Sequence, residues 1–351
     1  MGKTLSPEGQ AAIRAAIDEA CKDQTQGLPN VAFVVVNKDG QEILAHAAGT
    51  RGIGQDEPAT PDSVYWIASF TKMITGVACM HFYRDNLRDQ NYDEFCARFD
   101  DFMQPLVNQP GETWEYGINI DWAGIMVERV TGVPLSEYFQ KSIFEPLGLN
   151  DIGFFPSEAM KKRLISMTQR AQDGTLSQGH HPNHMPLDEF NEDEKKFIFN
   201  SGGGGCFSTP RDYAQLLAAL LNNGVSPTTG NQILSKSTVD SMFENQIPHM
   251  PDFGRAGLPA AKPDLTNPVQ ELYPLPDRTP QGWGLTWMIT PSPTGRTATS
   301  AFWAGIANCF WWCDREKGIA GVITTQVLPF GDPKLVPLWV NIEAAVYNSL
   351  I

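Results

Sequence analysis

No apolar run in the 351 residues approaches the roughly 20 that a helical membrane span needs, which excludes an integral helical membrane protein. Basic side chains are scarce: 26 Lys and Arg face 40 Asp and Glu, a formal net charge of −14, so nucleic acid and anionic membrane surfaces are repelled and are not expected partners. Cysteine is thinly scattered, at Cys21, Cys79, Cys96, Cys206, Cys309 and Cys313, with no C-x-x-C spacing. Neither a zinc centre nor a disulfide framework is therefore indicated, and reduced, mostly buried thiols are expected. The chain lacks a Gly-x-Ser-x-Gly elbow and any internal repeat. Met1 to Ser6 runs into a polar helix without a signal-peptide core, which reads as a soluble, cytoplasmic chain.

What the chain does contain is patterned for packing. Hydrophobic residues make up 42% and charged residues 19%, which excludes disorder as the main state. Ile13, Ala16, Ile17 and Ala20 share one helix face, behind the helix start Ser6-Pro7-Glu8. That start is the better reading of Gly2 and Ser6, which also match a loose N-myristoylation pattern. Val31 to Val36 and Gln41 to Ala48 flank the turn Asn37-Lys38-Asp39-Gly40; Asn308 to Cys313 and Ile319 to Leu328 flank Asp314 to Gly318. Each end thus predicts a β-hairpin, and an apolar helix follows from about Leu338 to Leu350. Four antiparallel strands and two helices from the two ends make one sheet with helices on a face, an α+β layer.

The middle turns helical: Trp122 to Val130 up to Gly132, Leu135 to Phe144 up to Pro146, and Asp212 to Leu221 behind the start Thr209-Pro210. Between Pro248 and Pro280 lie eight prolines with little periodicity, which predicts a long ordered or lid-like loop. His180, His181 and His184 sit in a Gly/Pro/Asn loop and are read as solvated, not as metal ligands; Asp188 to Glu194 is read as a solvated surface.

The strongest local pattern is Ser69-Phe70-Thr71-Lys72, the only Ser-x-x-Lys in the chain, at the head of an apolar run through Met73, Ile74, Val77, Ala78 and Met80. Positions i and i+3 share a helix face, so the Lys72 amine reaches the Ser69 hydroxyl and can take or relay its proton. At a helix start the Ser69 amide points outward, where it can donate to a developing oxyanion. Gly202 to Gly205 lacks the Gly-Lys-Ser/Thr ending of a phosphate loop, so close backbone approach is its expected use.

Further runs follow in order: Trp114 to Asn119, the helix Trp122 to Gly132, Phe144 to Leu149, the glycine tract with Phe207-Ser208-Thr209, Trp303-Ala304-Gly305, and Gln326 to Phe330. Together with Ser69 and Lys72 they resemble the serine β-lactamase-related family, which includes class C β-lactamases, penicillin-binding proteins and family VIII esterases. The run Tyr116 to Gly124 looks most like the lovastatin-pathway acyltransferases of fungi. The resemblance covers nearly the whole chain. It implies a terminal α/β sandwich, 1–65 with 283–351, and a mainly helical domain, 66–282, that ends in the Pro-rich loop 248–282, with the active site between them. By this resemblance Ser69 is the nucleophile, Lys72 its proton partner, and Tyr116 the relay to the leaving group, its ionised form favoured by the Lys72 ammonium. Asn119, Trp303, Gly305 and Ile306 would contact substrate: Asn119 orients it or Lys72, and an amide near Gly305 or Ile306, on an edge strand, completes the oxyanion hole. No cofactor or metal is implied.

Two departures from the family bear on substrate. Where β-lactamases and peptidases carry Lys-Thr-Gly, this chain has Trp303-Ala304-Gly305, so the partner of a substrate carboxylate is missing. With Trp283, Trp287, Trp311 and Trp312 nearby in sequence, that favours an apolar or aromatic acyl or alcohol group and ester chemistry over β-lactam or peptide hydrolysis. The segment His81 to Gln109 contains nothing like the family's Leu-Thr-His-Thr-Ser-Gly stretch. Either the cleft is wider and takes a bulky substrate, or the site is incomplete and the protein is a noncatalytic binding protein. The expected activity is acyl transfer through an acyl-enzyme on Ser69, from a small-molecule ester or thioester donor, including one on an acyl carrier, to an alcohol or water.

Overall fold

Ser6 opens the first helix, α1 (Pro7–Ala20): its Oγ accepts the Gly9 amide at 3.1 Å while Pro7 occupies the first turn. Ile13 and Ile17 are the buried stripe that the spacing predicts. The computed structural model describes residues 2–75, 109, 111–188, 190–195, 198–255, 264–268 and 279–351. Val77, Ala78 and Met80, Cys79, Cys96, all but the last residue of 81–109, position 189 and much of the Pro248 to Pro280 loop lie outside the described residues.

The central sheet is antiparallel throughout and has seven strands: β1 (Asn30–Asn37), β2 (Glu42–Gly49), β3 (Gly282–Trp283), β4 (Met288–Ile289), β5 (Ala301–Gly305), β6 (Cys309–Asp314) and β7 (Ile319–Thr324). Their order is β2-β1-β7-β6-β5-β4-β3. The join between the two ends of the chain runs through β1 and β7, where Ala32 faces Thr324 and Asn37 faces Ile319. Both expected hairpins form. The sheet has three more strands than the two hairpins predict: β3 and β4 are two residues each and too short to show alternation, and β5, a mixed apolar run without period, is expected only from the family resemblance.

Helices cover both faces of this sheet, not one. Successive strand residues point to opposite sides. Phe310 stacks on Trp339 of the last helix, α5 (Leu335–Asn348), with ring centroids 4.3 Å apart, whereas Trp311 meets Tyr213 of α4 (Pro210–Leu221) at 6.4 Å. α1 packs on α5 and β2, and α4 lies across β1 and β7. This two-sided cover explains why every residue of β1, β6 and β7 is buried. α5 starts three residues earlier than expected, since Pro337 falls in its first turn, where a missing amide costs nothing.

The middle of the chain supplies α2 (Thr71–Thr75), α3 (Asn119–Thr131) and α4. Pro146 does not end the expected helix there: a π turn at Gln140–Phe144 precedes it, and the helix runs to Leu147 before Gly148 turns left-handed. The expected strand Ile319 to Leu328 breaks after Thr324, and Val327–Leu328 leaves the sheet to pair in parallel with Thr168–Arg170. Among the described residues no helix is long and apolar enough to cross a membrane. Cys21, Cys206, Cys309 and Cys313 are free and buried.

Candidate active site

Ser69 sits inside a 3₁₀ turn, Ala68–Phe70, that leads directly into α2; it is not the cap of that helix. The turn is held on both sides. Tyr65 and Trp66 pair with Ser208 and Phe207, the Ile67 amide donates to the Cys206 carbonyl at 3.0 Å, and the Cys206 amide donates to Thr71 Oγ1 at 3.0 Å. The buried Gln326 side chain meets both backbone groups of Trp66, accepting from its amide and donating to its carbonyl, each at 3.1 Å. Ala68 takes φ +45°, a left-handed value that costs a non-glycine residue about 1–2 kcal/mol and that these anchors enforce.

The helix spacing does what it predicts. Lys72, only 6% exposed, donates from Nζ to Ser69 Oγ at 3.0 Å and to the Gly203 carbonyl at 2.6 Å. The Tyr116 hydroxyl, carried by the segment before α3, donates to the same Ser69 Oγ at 2.7 Å. Its ring lies under the amine, with Nζ 4.9 Å from the centroid. Ser69 Oγ therefore stands between two groups that exchange protons, and its own hydrogen can pass to whichever of them is an acceptor. The Ser69 amide lies in the first helical turn, where N–H groups have no intrahelical acceptor.

Of the other residues singled out, Trp303 is on β5 with its ring 5.4 Å from that of Tyr116. Gly305 closes that strand against the Ser69 turn: a Cβ there would come within 2.8 Å of the Ile67 carbonyl, so the approach requires glycine. β5 is not the edge strand expected, since β4 and β3 lie beyond it. Yet β4 pairs with Ala301 and Phe302, and among the described residues no strand pairs with Trp303 to Gly305 on that side. Ile306 follows, half-buried. Asn119 is the first residue of α3, and among the described residues it has no hydrogen bond to Ser69, Lys72 or Tyr116.

An aromatic wall extends from the cluster. Trp303 meets Trp283 edge-on at 4.7 Å, Trp283 meets Trp114 at 5.0 Å, and Trp114 meets Phe253 at 4.6 Å. Trp114 heads the run that contains Tyr116 but has no substrate role in the sequence reading, and Phe253 has no sequence signal at all. Trp287, Trp311 and Trp312 are instead fully buried core. Close approach is also what the glycine tract does: a Cβ on Gly202 would crowd the Ile120 carbonyl at 3.0 Å, and one on Gly205 the Phe154 ring at 2.8 Å.

Asp121 is the residue that sequence reading passed over. In the first turn of α3, an acid reads as a partner for the helix dipole. The structure buries it to 4% exposure, with Oδ1 accepting from Ser201 Oγ at 2.6 Å and from the Gly203 amide at 3.0 Å. Burial pushes its carboxyl above the usual carboxylate range, while the Lys72 charge and the Ser201 and Gly203 hydrogen bonds pull it down. A Cβ on Gly203 would overlap this carboxylate. The histidines divide: His180 and His184 are exposed, but both ring nitrogens of His181 are out of contact with solvent between Trp66 and Phe207, so the solvated reading fails for His181.

Comparison with known proteins bears on the family and the fold. A beta-lactamase family model matches residues 13–93 and 82–344. The lovastatin esterase of Penicillium rubens is 33% identical over 258 residues, 71% of this chain and 59% of that protein. The ML-236A carboxylate methylbutanoyltransferase of Penicillium citrinum is 29% identical over 252 residues, 70% of this chain and 56% of its own length. The chain thus spans somewhat over half the length of these curated relatives. Among solved structures, a mutant of simvastatin synthase from Aspergillus terreus superposes with a TM-score of 0.75 at 23% identity, covering 97% of this chain and 95% of that one.

Proposed function

The chain belongs to the beta-lactamase family, and from that membership we propose that it is a serine-dependent acyl-transfer enzyme acting on a small-molecule ester or thioester. One observation carries the reading: Ser69 Oγ is hydrogen-bonded at once to Lys72 and Tyr116 at the head of a buried helix. The names of the fungal relatives, an esterase and an acyltransferase, support the same chemistry.

In this reading Ser69 Oγ attacks the carbonyl carbon as its proton passes to the Tyr116–Lys72 pair. The negative oxygen of the tetrahedral intermediate accepts from the Ser69 amide and from an amide at Gly305 or Ile306. Collapse expels the alcohol or thiol, which recovers the proton by way of Tyr116 and leaves the acyl group on Ser69. An incoming alcohol then takes the acyl group in transfer, or water takes it in hydrolysis. Asn119 is assigned to the substrate's polar end. The wall of Trp303, Trp283 and Trp114 favours a bulky apolar donor or acceptor, such as a thioester on an acyl carrier paired with a hydrophobic alcohol. A division into 1–65 with 283–351 and 66–282, the cleft between them, belongs to this reading, as does a cytoplasmic location, which the free thiols fit.

Incubation with p-nitrophenyl butyrate, read by intact mass and released nitrophenol, tests it. A butyryl adduct or steady turnover is expected in the native protein, with turnover falling by about 10³-fold or more in Ser69→Ala. Tyr116→Phe should slow acylation by about 10²-fold and leave the affinity for a ground-state analogue nearly unchanged. Undiminished turnover in either variant overturns the assignment, and neither adduct nor turnover in the native protein favours a noncatalytic binding protein.

A further inference from the structure

Asp121 plays no part in the steps above, yet one residue of backbone joins it to them. Its Oδ1 accepts the Gly203 amide at 3.0 Å, and the Gly203 carbonyl accepts Lys72 Nζ at 2.6 Å. A lysine and an aspartate, Lys72 and Asp121, are buried to 6% and 4% exposure, and a charge on either needs a compensating one. Four described segments supply the groups bonded to them. α2 brings Lys72, the segment before α3 brings Tyr116, α3 brings Asp121, and 201–203 brings a hydroxyl and backbone dipoles. Glycine at 203 lets the carboxylate come this close, since any side chain there would overlap it.

We propose that Asp121 is a positioning residue of the acyl-transfer site: through the Gly203 peptide its carboxyl group fixes Lys72 Nζ against Ser69 and Tyr116, and it places negative charge beside that proton-holding pair. The inference rests on the acyl-transfer reading given above. It assigns the proton traffic. The Ser69 hydrogen passes to the Tyr116–Lys72 pair, onto whichever of the two is then the unprotonated acceptor, as the Oγ–acyl bond forms, and the pair returns it through Tyr116 to the leaving oxygen or sulfur as that bond breaks.

The pH profile of kcat/KM for p-nitrophenyl butyrate, normalised to acylatable sites, tests this in the native protein, Asp121→Asn, Asp121→Ser and Asp121→Glu. Removing a negative charge beside a proton-holding pair lowers the pair's proton affinity. Both limbs of the profile should therefore move to lower pH by about one unit in the Asn and Ser variants, with KM little changed. Asp121→Glu keeps the charge, so its limbs should stay in place while the rate falls through altered geometry. Limb positions do not depend on how much protein is folded, and the Ser variant serves if the Asn variant fails to fold. Limbs that stay fixed in the uncharged variants, with a rate lost equally at every pH, reduce Asp121 to a structural part and overturn the inference. A native protein that shows neither a Ser69 adduct nor turnover overturns instead the acyl-transfer reading beneath it.

Discussion

Ala68, Ser69 and Lys72 show what single residues contribute. Ser69 and Lys72 are legible in sequence because a three-residue step fixes them on one helix face whatever the rest of the chain does. Tyr116 is legible only through its resemblance to a known run, since nothing local brings it to Ser69 Oγ. Asp121 is not legible, because its burial depends on the 201–203 segment folding over it. His181 belongs with it: a Gly/Pro/Asn loop looks solvated, yet Trp66 and Phe207 flank the ring at 5.5 Å each. Burial pushes its imidazole down to about 4, against an ordinary value near 6.5. The folded state thus resists protonation that the unfolded chain accepts. The stability His181 permits is complete above about pH 6.5 and is lost as pH falls toward 4, by up to about 3 kcal/mol. His181→Gln, neutral throughout, should flatten the acid side of stability, as read by urea midpoints at pH 7 and pH 4.5; equal acid sensitivity in both proteins refutes this.

Among elements, the decisive one is the short strand Tyr65–Trp66 with its borrowed partner. Gln326 stands where a neighbouring strand would pair and satisfies both backbone groups of Trp66 with one side-chain amide. Trp66 Nε1 in turn donates to the Gly204 carbonyl at 2.7 Å, which ties the nucleophile's approach to the glycine tract. Gln326→Ala would remove both of these hydrogen bonds from buried backbone groups, at about 1–3 kcal/mol each. It should therefore lower the denaturation midpoint and slow Ser69 acylation together; an unchanged acylation rate would detach this strand from the site. Long periodic elements such as α1, β1 and α4 are legible in advance, because alternation and helical spacing need many residues to show. Two-residue strands have no period to read, and the break after Thr324 becomes visible only once Gln326 is seen turned toward Trp66.

At the scale of the molecule, the mirrored hairpins at the two ends announce a shared sheet, and the sheet forms as they require. What they do not announce is that the middle of the chain covers its second face through α4, because a helix's apolar stripe does not name the surface it meets. Order in time follows from that sheet. β1 is made early and finds its central neighbour only in β7, with Ala32 opposite Thr324. While the chain is being synthesised, β1 is an almost wholly apolar strand whose inner edge has nothing native to pair with. The Ser69 turn waits too, since Gln326 and Gly305 are both made late. Such long-range closure is slow and leaves a sticky edge exposed. Protection of the nascent chain, more than the stability of the finished fold, should then decide how much active protein a cell obtains.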